Sequence, residues 1–404
     1  MVMLVILIVG AAAILVNSLS STALRTERDK ITTASLAQAK ESLLGRAVSD
    51  ANRPGSLPCP DINNDGISDS SGTSCDKYIG RLPWKTLGLD DPRDGTGERL
   101  WYVLSFNFAD IPSNKINSNS NGTLLVYDNS GTTLLTQPGS EAVAIIFAPG
   151  TVVSSQQRNS AVDKTTASNY LDIGPNTINN SIAAGPFIAA DKTGTFNDGL
   201  VIIKTSDLMP IVEIRVLKEL SKAFASYMAN NSGKYPYPAD LNSCTSITST
   251  YCNSDTTQCV GKIPILTMSS VLTSMPWFAN NNWLDVIYYA AGTNSLSIGA
   301  GGGWGGGKTF RSTKGGGSWI GSGGSGSTIC TATSLTILDT NGGTLTTNAN
   351  ALFLMPGSSL TGATRGSMST SNLAYFFEDP ENKNLDYSYV LPGGTSNDTL
   401  NILP

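Results

Sequence analysis

Histidine is absent from all 404 residues. Its absence removes Ser-His-Asp and Cys-His nucleophile pairs and every histidine metal site. No Cys-x-x-Cys spacing occurs either, which disfavours zinc ribbons and thioredoxin-like redox chemistry and excludes the Cys-x-x-Cys-His signature of haem attachment. Charge is sparse at 14% of residues, the net charge is −5, and no basic patch stands out, so no nucleic acid is expected as a partner. With no catalytic constellation in sight, no catalytic residue is named and the chain is read as a non-enzyme.

What replaces charge at the start is a long apolar run. Residues 1–16 read MVMLVILIVGAAAILV, and no charged side chain occurs before Arg25. Helix-forming residues continue to Val48, and the first proline is Pro54. This predicts one helix over residues 1–50, about 75 Å long at 1.5 Å per residue. Its first half is apolar on all sides and its second half is amphipathic. A cleaved secretory signal would need a basic n-region and a small-residue cleavage site. No Lys or Arg precedes the run, and helix formers continue past it.

The length predicts two further domains, each able to bury a core. They are placed at 51–210 and 211–404, because small motifs recur in the same order. The first set is a Pro-Cys-Pro turn ending at Asp61, then Leu82-Pro-Trp84, a strand near Trp101–Val103, and Ala142–Gly150. The second set is a helix over 211–228, then Tyr235–Asp240, Met275-Pro-Trp277, Asp285–Tyr289 and Ala351–Gly357. The tails are matched as Asn169–Pro175 against Ala374–Pro380. A dozen motifs in conserved order point to duplication.

Six cysteines in such a chain predict disulfides. Matching positions in the two halves suggest Cys59–Cys75 and Cys244–Cys259, leaving Cys252–Cys330. Between the first two cysteines lies a calcium-loop spacing, Asp-x-Asn-x-Asp-Gly-x-x-Asp. Side-chain oxygens fall at Asp61, Asn63, Asp65 and Asp69, Ile67 would offer its carbonyl, and Gly66 permits the turn. The bidentate acid expected at the twelfth position is Gly72, so Asp76 is the candidate to close the shell. The competing reading is a metal-free Asn/Asp/Gly turn. Calcium is therefore the one cofactor carried forward, with a structural role.

Gly302–Thr309 matches Gly-x4-Gly-Lys-Thr, but no helix signal follows it, so no nucleotide is expected. Residues 299–327 are read as a long Gly-rich loop. Asp90, Asp91, Glu378, Asp379 and Glu381 lie beside prolines and are read as solvated loop acids.

The apolar-then-amphipathic N-terminal helix, with Leu82–Leu89 and Asp94–Tyr102 downstream, resembles the type IV pilin and type II secretion pseudopilin superfamily. The resemblance implies an α+β fold: a long N-terminal helical stem followed by two tandem pilin-like heads, each a helix packed on a small antiparallel sheet. It implies an inner-membrane anchor that then packs into an extracellular filament at the cell surface. Leu4, Val5, Ile8, Ile14 and Leu15 would form the assembly helix. The implied partners are other pilin-like subunits, the inner membrane before assembly, and the assembly machinery. One position departs from the family, which usually carries glutamate at residue five of the mature chain, where this sequence has Val5. That favours a minor or tip subunit and leaves the repeating role open. The alternative function is a membrane-anchored or tip-displayed adhesin that uses the Gly-rich loop.

Overall fold

The computed structural model describes residues 2–137, 139–153, 156–246, 249–296, 333–357, 365–366, 368–384, 387–393 and 396–403, with side chains of the first helix from Thr22 onward. The chain forms two compact units. One comprises 1–49, 56–114 and 121–205; the other comprises 50–55, 115–120 and 206–404.

In the first unit, helix α1 (Val2–Ser49) is a single element of 48 residues. Leu36, Ala39, Leu43 and Ala47 are buried, at the three- and four-residue steps that line one helical face. That face packs on the main sheet. The strands of this unit are β1 (Ile79–Arg81), β2 (Trp101–Leu104), β3 (Val126–Tyr127), β4 (Ala142–Ala148), β5 (Phe187–Ile188) and β6 (Gly199–Lys204). The main sheet runs β1-β2-β4-β6, all antiparallel. Strand β4, seven apolar residues, is buried along its whole length because sheet neighbours flank it and the two sheet faces are covered. On one face Trp101, Val103, Ile145, Phe147, Tyr170 and Phe187 form the core. Strands β3 and β5 pair in parallel beside it.

The second unit repeats that plan. Helix α2 (Thr205–Asn230) buries Leu208, Val212, Val216, Leu220 and Phe224. Its strands are β7 (Val260–Gly261), β8 (Tyr288–Ala291), β9 (Leu335–Leu338), β10 (Thr344–Ala349), β11 (Ala351–Met355), β12 (Ser388–Val390) and β13 (Thr399–Leu403). The main sheet runs β7-β8-β11-β13, again antiparallel, and β9 pairs in parallel with β12. Strand β10 is an addition, paired antiparallel to β9. Phe224 meets Tyr289 and Phe353 edge-on, with both ring centroids at 4.8 Å.

The expected stem with two tandem heads, each a helix on one small antiparallel sheet, is not found. Among the described residues no helix is long and apolar enough to cross a membrane. The described start of α1, Thr22–Ile31, is exposed and mostly polar. The units are not tandem either, because 50–55 and 115–120 belong with the second one. Asn281 explains this locally: its Oδ1 accepts the Ile116 N–H, its carbonyl accepts Asn117 Nδ2, and its own Nδ2 donates to the Asn52 carbonyl. Each half also spreads its strands over two sheets, one of them with a parallel pair. Parallel pairing needs a long connection between the strands; here those run from 128 to 186 and from 339 to 387.

Candidate functional site

The Asp61–Asp69 loop is built around one buried carboxylate. Asp61 is 1% exposed. Its Oδ1 accepts the N–H groups of Asn64 at 2.6 Å and Asp65 at 3.3 Å, and its Oδ2 accepts that of Gly66 at 2.7 Å. Asn63 Oδ1 accepts the Asp65 N–H and Asp65 Oδ1 accepts the Ile67 N–H, so each turn of the loop is tied by a side chain two residues back. Asp69 closes the ring: Oδ2 accepts the Ile62 N–H and Oδ1 accepts from Asn63 Nδ2. Gly66 has φ +90°, and a Cβ there would meet the Trp84 ring at 2.6 Å, so only glycine fits. Burial pushes the Asp61 carboxyl above its ordinary pKa; the backbone donors oppose the shift and Asp65 adds to it.

All five candidate ligands therefore sit on one loop. Among the described residues, however, no three His, Cys, Asp or Glu side chains gather as a metal-holding group. The loop carboxylates are engaged with backbone N–H groups. The Cys59–Cys75 disulfide is present, as expected, and brackets the loop.

The other cysteines correct the sequence reading. Cys244 bonds to Cys252, which excludes Cys244–Cys259 and Cys252–Cys330. Cys259 is also disulfide-bonded; Cys330 lies outside the described residues. Matching the two halves by motif order misled here, because Cys244 and Cys252 close a short local loop that the first half lacks. Leu4, Val5, Ile8, Ile14 and Leu15 all lie within α1, with side chains outside the described set. The Gly-rich stretch 299–327 is outside it as well.

Sequence reasoning missed a polar constellation that occurs in both units. In the first, Arg158 Nη1 donates to the Gly150 carbonyl at 2.8 Å and Nε to the Asn169 carbonyl at 2.9 Å, with its guanidinium 4.3 Å from the Tyr170 ring centroid. In the second, Arg365 Nη1 donates to the Gly357 carbonyl and Nε to the Tyr375 carbonyl at 2.7 Å, with Phe376 as the stacked ring at 5.3 Å. Asn180 makes both backbone hydrogen bonds to Ile188, and Asn382 makes both to Val390. The N–H of Asn197 donates to Asp172, and that of Asn397 to Glu378.

Asp198 and Asp398 follow, each one residue ahead of the last strand of its sheet. This sets Tyr170 against Phe376 and Asp172 against Glu378, one residue away from the tail match made on sequence. It also removes Glu378 from the solvated loop acids, since it faces Arg365 and Asp398. Asp91 is not simply solvated either: it is ion-paired to Arg93 and Arg99. Two signals could have revealed the constellation. An arginine stands eight residues beyond Pro149-Gly150 and again beyond Pro356-Gly357, and Asn-Asp recurs before each final strand.

No family model, no curated protein and no solved structure matches this chain.

Proposed function

We propose that this chain is a structural subunit of an extracellular filament, joined to neighbouring subunits through the N-terminal part of α1. The observation that carries the reading is the division of that helix. It is continuous from Val2 to Ser49, and among its described side chains, from Thr22 onward, buried positions begin at Leu36. Within that described part, contacts to its own unit begin near Arg28, whose backbone approaches Gly95, and continue with Thr32 and Ser35. Thr22–Glu27 are exposed. Upstream, residues 1–16 carry no polar side chain. Leaving such a run in water costs about 25 cal/mol per Å² of apolar surface, so it needs a cover. The same run on other subunits is the cover the pilin and pseudopilin resemblance implies.

The disulfides suit an oxidising compartment. We also propose a structural Ca²⁺ for the Asp61–Asp69 loop, on the strength of its oxygen-rich spacing and its Cys59–Cys75 staple. Binding would require the three aspartates to draw together.

The test is Ile8→Arg in the cells that make the protein, followed by immunodetection of the chain in filaments sheared from the surface. The expected result is loss from the sheared fraction, with the Cys59–Cys75 and Cys244–Cys252 disulfides and the thermal transition of the remaining chain retained. Wild-type amounts in the filaments would refute assembly through this helix.

A further inference from the structure

The repeated constellation holds, in each unit, two neighbouring acids, one of them a buried aspartate at the head of the last strand. Asp198 is 3% exposed. Its Oδ2 accepts the Asp172 N–H at 2.9 Å and Asn180 Nδ2 at 3.0 Å, and its Oδ1 is buried with no hydrogen-bond partner. Asp172 returns the contact one residue away, accepting the Asn197 N–H at 2.7 Å. The two acids thus clasp the segment 197–198 to the segment at Asp172, at the point where β6 begins. In the second unit Asp398, 2% exposed and beside Glu378, has both side-chain oxygens buried without a hydrogen-bond partner, and Glu378 Oε2 accepts the Asn397 N–H at 3.3 Å. A carboxyl oxygen buried without a donor favours the neutral, protonated acid.

We propose that Asp198 and Asp398 are twin proton latches, each holding the head of its unit's last strand in place while neutral and loosening it when ionised. The strands concerned, β6 and β13, are edge strands of their sheets, held by one neighbour each, β4 and β11. An edge strand with a single ladder is the natural element to release.

The charged groups around each latch decide its direction. In the first unit they are Asp172, which opposes ionisation, and Arg158, which favours it but is also paired to Glu98 at 3.2 Å. In the second they are Glu378, opposing, and Arg365, which Glu378 and the buried Glu213 of α2 also engage. Burial, then the neighbouring acid, pushes Asp198 up to about 8 from 3.8, and Asp398 likewise to about 8. Glu213 is raised to about 8 by burial as well.

A carboxyl raised in the folded state binds more protons there than when released. The hold is therefore complete below the ordinary carboxyl range, weakens as pH rises, and levels off above about pH 8.

Hydrogen exchange on the full oxidised chain, resolved by peptide and corrected for intrinsic rates, reads this directly. Protection of 199–204 and 399–403 should fall by up to roughly tenfold per pH unit between about pH 5 and pH 7. Strands β2 and β8 serve as controls and should not follow. Asp198→Asn should flatten the profile of 199–204 alone, and Asp398→Asn that of 399–403 alone. A wild-type profile without the extra slope overturns the proposal even if a variant fails to fold. So does loss of protection in β2 and β8 in step with the edge strands, or an unchanged slope in both variants.

Discussion

Removing the Cys59–Cys75 bond tests whether the first unit depends on a covalent staple across its Asp61 loop. The cysteines are 16 residues apart with Cα atoms 5.4 Å apart, and both are buried. Closing a loop of that length restricts the unfolded chain by an entropy equivalent to about 3 kcal/mol at 25 °C. A domain is typically stable by about 5–15 kcal/mol, so the bond is worth roughly a fifth to three fifths of the total. With a urea slope of about 2 kcal/mol/M, the Cys59→Ser, Cys75→Ser double variant should unfold about 1.5 M earlier. Trp84 and Trp101 lie in this unit and Trp277 and Trp283 in the other, so fluorescence combined with single Trp→Phe variants separates the two transitions. The loop's own hydrogen bonds to Asp61, Asn63 and Asp65 remain in the variant. They limit the damage to the entropy term, and the slope m should stay unchanged. A midpoint shift below about 0.3 M would refute the reasoning, since the loop would then be as constrained without the bond as with it.

Phe224→Ala removes a ring fully enclosed by Tyr235, Tyr289 and Phe353, and should destabilise the second unit by about 3–5 kcal/mol in denaturant titration while the first keeps its midpoint. Gly66→Ala should cost about 1–3 kcal/mol in the first unit, because it combines a positive φ with a Cβ driven into Trp84; an unchanged midpoint would show that the loop rearranges freely. Asn180→Leu keeps volume but deletes both hydrogen bonds to Ile188, and should lower the first unit's stability by about 1–3 kcal/mol, read by thermal melting. For the proposed calcium, millimolar Ca²⁺ should raise the first unit's melting temperature and Asp65→Ala should abolish the rise; no response in the wild type retires the ion.

The elements that depend on periodicity were legible in the sequence. The long N-terminal helix, the strand at 142–148 and the helix of the second half follow from apolar spacing alone. Even so, α2 begins at Thr205 and takes Pro210 into its early turns, ahead of the 211 boundary. Pro210 is the sixth residue of α2, so its missing N–H falls just beyond the first four amides, which lack intrahelical acceptors anyway. What was not legible depends on groups that look like loop residues until the chain is folded. Asn117 and Asn281 carry no signal in the sequence, yet their amides bind residues 115–120 into the second unit. Glu378 read as a solvated acid beside a proline, and Asp379 beside it caps a short helix by accepting the Glu381 N–H. Cys244 and Cys252 read as members of long-range pairs by analogy with the first half. Local closure won, because a bond between residues eight apart needs no agreement between distant segments.

The comparison of the two units also says what the shared plan requires. Several features differ between them. The disulfide brackets an Asx loop in one and a short serine- and threonine-rich loop in the other. Arg81, stacked on Trp101 and Tyr170, pairs through the backbone with Asp61, where the second unit has Lys262 paired with Ala239. The core rings change identity. The arginine, the acid it faces, the asparagine beside the parallel pair and the Asn-Asp ahead of the last strand stay the same, apart from Asp172 becoming Glu378. Apolar contacts tolerate exchange because area and volume can be met by several side chains. A partly buried backbone carbonyl such as that of Gly150 or Gly357 needs a donor at one place, and a Cβ on either glycine would collide with Asn197 or Asn397. The crossing of a parallel pair over an antiparallel sheet leaves such carbonyls and N–H groups without ladder partners in both units. The five polar residues supply them, and the cost of that solution is a buried acid next to another acid at the head of each edge strand.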